Sequence, residues 1–225
     1  MQGLSKDGSV HVTDEFYNTV IMLLGAILSI IGMYYLLYQS IVDHKFWHIL
    51  SFSIYGLALL NLFISSALHH GINGSAKTNH LFRQLDYFAV FIMIAGTMTP
   101  ICLIVLRNPL GLAVLALVWI LTIAGILLKA LVPHVSKWIL MALYLGMGWL
   151  GFVLVFPLAK VLPESLIAII LGGAFFTFGV FIYYFERPNP LPGRFGFHEI
   201  WHLHVIAGIS CHYYLMYKYL SFYPS

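Results

Sequence analysis

The last apolar segment of the chain begins with Phe197-His198-Glu199-Ile200-Trp201-His202, directly after a loop that contains three prolines. On a helix, residues four apart lie about 40° from each other around the axis and about 6 Å apart along it, so the imidazoles of His198 and His202 can converge on one ion. Such a histidine pair suits zinc, and a catalytic zinc usually takes a third protein ligand and leaves a fourth position for water. The spacing therefore predicts half of a metal site.

The composition predicts an integral membrane protein. Of 225 residues, 61% are hydrophobic and 8% are charged, and the mean hydropathy is +0.91. No water-soluble domain of this size needs that balance. The net charge of +3 is scattered along the chain without a basic run, so we expect no binding to nucleic acid. Cys102 and Cys211 lie inside apolar segments without a recognisable spacing, which indicates membrane-embedded thiols.

Apolar segments of membrane-spanning length occupy most of the chain. A bilayer core about 30 Å thick is crossed by roughly 20 apolar residues in a helix. A window of that length finds seven spans, at 18–39, 48–69, 86–106, 109–131, 137–157, 163–185 and 198–220. The connections are mostly short and leave nothing for a soluble domain. We therefore expect an all-α bundle of seven transmembrane helices, one domain over residues 1–225, in a lipid bilayer.

Basic residues beside the spans predict the orientation of the bundle. Seven lie on the side of the N-terminus and four on the other, which favours a cytoplasmic N-terminus and an external C-terminus. The margin is small, so the inverted topology stays open. The seven are Lys6, Lys77, Arg83, Lys129, Lys137, Arg187 and Arg194, and the four are Lys45, Arg107, Lys160 and Lys218.

A third histidine ligand is predicted at the end of the second span, which reads Ser65-Ser66-Ala67-Leu68-His69-His70. With seven alternating spans, this end and the start of the last span lie at the same membrane face. We assign His69 as the ligand that joins His198 and His202. His70 is adjacent but points elsewhere on a helix, so we expect it to lie outside the ligand set.

Two further residues complete the predicted site. Three neutral imidazoles around a divalent cation call for a nearby carboxylate, and Asp86 lies at the start of the third predicted span, on the same face. It could bind the metal directly, or accept a hydrogen bond from a bound water and act as general base. Ser65 is one turn deeper than His69, so its hydroxyl could orient Asp86 or donate to a developing oxyanion.

Glu199 makes the last segment match the His-Glu-x-x-His signature of zinc proteases, in which the glutamate is the base. An intramembrane zinc protease is therefore a competing hypothesis. An acidic residue in the first turn of a helix is favoured by the helix dipole in any case. We interpret Glu199 as a residue of the helix start. His212 shares the face of His198 but lies about 21 Å further along the helix, too far to bind the same ion.

The sequence resembles the hemolysin III family, bacterial members of the progestin and adiponectin receptor superfamily, which is related to alkaline ceramidases. Three blocks show the likeness: Ser65-x-x-x-His69, Arg83-Gln84-Leu85-Asp86-Tyr87 continuing through Ala95–Pro100, and Pro192-Gly193-Arg194-Phe195-Gly196 continuing through His202. The resemblance implies a seven-helix bundle in a bacterial cell membrane, with zinc at the inner-leaflet side. It also implies zinc ligands at His69, His198 and His202, with Asp86 and Ser65 beside them.

One position departs from the family pattern. Members often have Glu-x-x-Asn-x-x-x-His at the entrance to the first helix. Glu15 and Asn18 fit this pattern, but Met22 occupies the histidine position. Whatever that histidine contributes in relatives is therefore absent here, although it is not among the predicted metal ligands.

The leading functional hypothesis is a zinc-dependent hydrolase that acts on an amide or ester bond of a membrane lipid. Zinc lowers the pKa of bound water to about 7 and polarises a carbonyl, and Asp86 would take the proton. The resemblance to ceramidases makes an amide plausible. One alternative is a cytolysin or channel, as the family name implies, although the spans lack the polar stripe of a wet pore. Another is a membrane sensor or receptor with a structural zinc.

Overall fold

The computed structural model describes residues 15–132 and 134–224, so Lys6, used above for the orientation, lies outside the described residues. The described chain is almost entirely helical. Its helices are α1 (Phe16–Val42), α2 (Phe46–Gly71), α3 (Ala76–Pro100), α4 (Pro109–Leu131), α5 (Lys137–Leu150), α6 (Phe152–Val161), α7 (Leu166–Phe185) and α8 (Phe197–Leu215). The π-helical turns Ile101–Val105 and Met216–Leu220 extend α3 and α8.

Six stretches of the described chain are long and apolar enough to cross a membrane. They correspond to α1, α2, α3 with its π-helical turn, α4, the pair α5 and α6 together, and α7 with the short turn before it. The seventh helical pass is α8, which is less apolar because it contains four histidines. These findings confirm the predicted all-helical membrane bundle, while the orientation of its termini stays a prediction.

The third helix begins ten residues before the predicted third span, at Ala76. Ser75 caps it, because its hydroxyl accepts a hydrogen bond from the backbone N–H of Thr78 at 3.2 Å. The first turns of α3 are polar, and a search for apolar windows therefore passes over them. Asp86 consequently lies about 15 Å from the start of α3 instead of at it.

The helices that surround the predicted site pack directly on one another. Contacts join α1 to α2, α2 to α3, α7 to α8, and α1 to α8. The α2–α3 contact is close at Gly96, where an added Cβ would lie only 2.6 Å from the Cβ of Ala58. Bulky side chains fill the centre of the bundle, and Phe52, Tyr55 and Phe91 are completely buried. This packing holds the C-terminal end of α2 next to α3 and to the first turns of α8.

The loop between α7 and α8 determines how α8 begins. A bridge between Leu191 and Phe195 closes a tight turn, and Gly193 occupies it with a φ of 81°, which glycine adopts without strain. Asn189 then accepts a hydrogen bond from the backbone N–H of Phe197 at 3.0 Å and donates to the carbonyl of Glu186 at 2.8 Å. The first turn of α8 is therefore tied to the end of α7.

Candidate metal centre

His198 and His202 lie on successive turns at the start of α8, and their ring centroids are 4.7 Å apart. His202 is only 3% exposed, and His198 is half-buried. The convergence expected from a spacing of four residues on a helix is therefore present. Tyr183 of α7 packs against His198, the more exposed histidine of the pair, with ring centroids 5.3 Å apart.

The histidine of α2 that meets this pair is His70. Its ring centroid lies 4.8 Å from that of His198 and 4.9 Å from that of His202. One ligand nitrogen from each of the three residues lies within 4.8 Å of the other two. His70 is 2% exposed, so two of the three imidazoles that α2 and α8 bring together are buried. This differs from the expectation that His70 points away.

His69, the ligand predicted from the sequence, lies in a neighbouring group. Its ligand atom lies within 4.8 Å of those of His70 and Asp86, and its ring centroid is 4.8 Å from that of His70. His70 is thus common to both groups and lies between His69 and the pair on α8. The geometry favours His70 as the ligand from α2, and the assignment of His69 stays a prediction.

For the serines of α2, as for its histidines, the residue that faces the site is the one after the predicted residue. The hydroxyl of Ser66 lies near the Asp86 carboxylate. Ser65, for which that contact was predicted, instead donates to the side-chain oxygen of Asn61 on its own helix at 3.5 Å. One residue corresponds to about 100° of rotation around a helix axis. A single rotation of α2 relative to the expected one therefore accounts for both the serine and the histidine.

Glu199 is completely buried, and both of its carboxylate oxygens accept hydrogen bonds. One accepts from the backbone N–H of Gly196 at 2.7 Å, which satisfies a donor at the start of α8, and the other accepts from the Asn18 side chain at 2.8 Å. The interpretation of Glu199 as a residue of the helix start agrees with these contacts. They also count against the protease hypothesis, in which this carboxylate would face a water molecule.

Glu15, just before α1, is hydrogen-bonded to His70, one of the three converging histidines. Its carboxylate accepts from Nδ1 of His70 at 2.7 Å and from the Asn18 side chain at 2.8 Å. Burial alone would raise the pKa of Glu15, but these hydrogen bonds and the charges of His70 and His198 hold that pKa below its usual value. An ionised carboxylate can only accept, so Nδ1 of His70 is the donor.

The donor set fits a zinc ion. Imidazole nitrogens are the commonest protein ligands of catalytic zinc, and carboxylates are the next. Metal-ligating histidines almost always donate their second ring N–H to a carboxylate or a carbonyl, and His70 makes such a contact with Glu15. When Nδ1 of His70 donates to Glu15, Nε2 is the ring nitrogen that would hold the ion. The described residues thus provide both the ligand atoms and the support that a zinc site requires.

The remaining histidines of α8 lie outside this cluster. His204 donates from Nδ1 to the carbonyl of Ile200 on its own helix at 2.8 Å. His212 stacks on Phe176 with ring centroids 5.8 Å apart, several turns further along α8. The position of His212 is several turns from the cluster, as its place in the sequence predicts.

Comparison with known proteins shows to which family this chain belongs. Residues 10–213 match the family model described as haemolysin-III related. The chain is 35% identical to Hemolysin-3 of Bacillus cereus over 200 residues, which cover 88% of this chain and 87% of that protein. It is 33% identical to the Hemolysin-3 homolog of Bacillus subtilis, covering 88% and 90%. It is 26% identical to human monocyte to macrophage differentiation factor, covering 77% and 72%. This chain is therefore a multi-pass membrane protein that belongs to the hemolysin III family.

Proposed function

We propose that this protein is a zinc-dependent hydrolase that cleaves an amide or ester bond of a membrane lipid. The observation that supports this most directly is the convergence of His70, His198 and His202, whose ligand nitrogens lie within 4.8 Å of one another, beside the group that contains Asp86. When bound, zinc would polarise the scissile carbonyl and lower the pKa of a water molecule to about 7.

Each residue of the site has a role in this proposal. His70, His198 and His202 hold the ion. The Asp86 carboxylate accepts the proton of the attacking water and returns it to the leaving amine or alcohol, which is the work of a general base and then a general acid. The hydroxyl of Ser66, near Asp86, fixes the orientation of that carboxylate, the role first assigned to Ser65.

The surroundings of the site favour a substrate delivered from the membrane. The outer surface of the bundle is apolar, with side chains such as Leu28, Ile120 and Phe178 more than half exposed towards the position of the acyl chains. The metal cluster lies at the ends of α2 and α8, near one interface, where the polar linkage of a lipid also lies. The predicted orientation places this end at the inner leaflet of a bacterial cell membrane, and the resemblance to ceramidases favours an amide.

The test is lipid turnover by purified protein in liposomes that contain N-acyl amide lipids or ester lipids, with released fatty acid measured by mass spectrometry. We expect release that a chelator abolishes and that added zinc restores. One zinc ion per chain without turnover of any amide or ester would overturn the hydrolase proposal and favour a structural metal in a membrane sensor.

Cytolysis is a second candidate, because two of the relatives are named Hemolysin-3 or its homolog. The filled centre of the bundle, with Phe52, Tyr55 and Phe91 completely buried, counts against a water-filled pore through one chain. Liposomes loaded with a self-quenched dye report leakage in the same assay. Leakage without lipid turnover would favour the cytolytic function.

Single alanine variants of the two neighbouring histidines distinguish the ligand from α2. We expect His70→Ala to lose most of the zinc, because His70 alone belongs to both groups of potential ligands. His69→Ala is the matched control and should retain the metal, since His69 does not lie in the group with His198 and His202. Metal content of the two detergent-purified proteins decides between them. Loss in His69→Ala with retention in His70→Ala would establish His69 as the ligand, as the sequence analysis predicted.

A further inference from the structure

We propose that Glu15, Asn18 and Glu199 form a positioning network, here called the Glu15 network, that fixes His70 against His198 and His202 and adds negative charge beside the metal. This inference rests on the proposed metal site and extends it to α1, which contributes no residue to either group of potential ligands among the described residues. None of the three network residues has a ligand role in the proposal above.

The first link of the Glu15 network orients His70. The hydrogen bond from Nδ1 to the Glu15 carboxylate is 2.7 Å long, which is typical of a bond to an ionised acceptor. It places the proton on Nδ1 and turns Nε2 away from Glu15. A histidine held in this way presents a more basic lone pair to a metal than a histidine bonded only to water.

The second link is Asn18, which is 1% exposed and joins the two carboxylates. Its side-chain nitrogen donates to Glu15 and to Glu199, both at 2.8 Å. An amide nitrogen has two hydrogens, so both are used in these bonds. Asn18 therefore connects the support of His70 on α2 to the first turn of α8, which contains the other two proposed ligands.

The third link is charge. Glu199 lies between His198 and His202 in sequence and is completely buried, and Glu15 is half-buried. Both carboxylates accept from the same Asn18 nitrogen, and the Glu15 carboxylate also accepts from His70, so Glu15 would attract a divalent cation held by that ring. From the sequence, the compensating charge was predicted for Asp86 alone. The contacts add Glu15, whose carboxylate would favour the metal-bound state over the empty one.

The experiment measures metal affinity and coordination instead of turnover. Full-length protein in detergent is titrated with zinc in competition with a chelator, and with Co²⁺, whose visible absorption reports the ligand geometry. We expect Glu15→Ala to bind zinc about 10–100-fold more weakly and to show an altered Co²⁺ spectrum, because losing the partner of a metal-ligating histidine has effects of that size. Glu15→Gln should lie between wild type and Glu15→Ala, since its amide oxygen can still accept from Nδ1.

Glu164→Gln is the control, since it removes one carboxylate at an exposed position in the turn before α7. It should match wild type in affinity and spectrum. Wild-type affinity and an unchanged Co²⁺ spectrum in Glu15→Ala would overturn the Glu15 network. If Glu15→Ala does not fold, the same result in Glu15→Gln would overturn it. Absence of metal binding in wild type would instead overturn the proposed metal site, so the two failures are distinguishable.

Discussion

Replacing His202 with alanine is expected to reduce the zinc content of the purified protein from about one ion per chain to almost none. The His202 ring is 3% exposed and lies 4.7 Å from that of His198 and 4.9 Å from that of His70, so it is in contact with both of the other rings. Its removal leaves two imidazoles, too few for a stable zinc site. Elemental mass spectrometry of detergent-purified wild type and variant measures the difference.

His204→Ala is the matched control for this experiment. It removes an imidazole two residues away on the same helix. Nδ1 of that imidazole donates to the carbonyl of Ile200 within α8. We expect it to keep wild-type zinc. Equal losses in the two variants would point to a general disturbance of α8. A zinc-free wild type, purified without chelators, would contradict the metal centre itself.

Asp86→Asn is expected to lower lipid turnover by about 10²–10⁴-fold while the zinc stays bound, because a positioned general base contributes an acceleration of that order. Asparagine keeps the shape of aspartate, but it cannot take the proton of the attacking water. The rate of fatty acid release and the zinc content are measured on the same preparation. A fall in kcat at an unchanged KM would agree with loss of the base.

Asp43→Asn provides the control, since Asp43 follows α1 at the opposite end of the bundle, with a side chain that is 33% exposed. Its turnover should equal that of wild type. Joint loss of zinc and turnover in Asp86→Asn would place Asp86 among the ligands, as its group with His69 and His70 also allows. Full turnover in Asp86→Asn would show that another residue is the base.

The sequence predicted the bundle and the pair on α8 because both depend on local periodicity. Apolar length alone locates membrane helices, and a spacing of four residues places two side chains on one face in any α-helix. Local periodicity does not decide whether His69 or His70 faces the site. Ser65 with His69 and Ser66 with His70 have the same spacing, so each pair satisfies the same pattern. Only the packing of α2 against α3 and α8 determines which pair faces the site.

The Glu15 network was beyond sequence reasoning for a related reason. Glu15 and His70 are 55 residues apart, and Asn18 and Glu199 are 181 residues apart, so no local pattern connects them. The match of Glu15 and Asn18 to a family pattern marked these residues without assigning them a role. The sequence did contain one indication of such a network. Asn18 and Glu199 lie within apolar segments, where polar side chains require hydrogen-bonding partners.

The distribution of the cluster along the chain has a consequence for biogenesis. His70 lies in the second helix and His198 in the last, with more than a hundred residues between them. At synthesis rates of about 5–20 residues per second, several seconds pass between the synthesis of α2 and that of α8. During that interval Asn18 lacks one of its two carboxylate partners, and His70 lacks both imidazoles of α8. Loading of the proposed metal site would therefore be among the last events in the maturation of the protein, because a nascent chain that stops before α8 lacks two of the three proposed ligands.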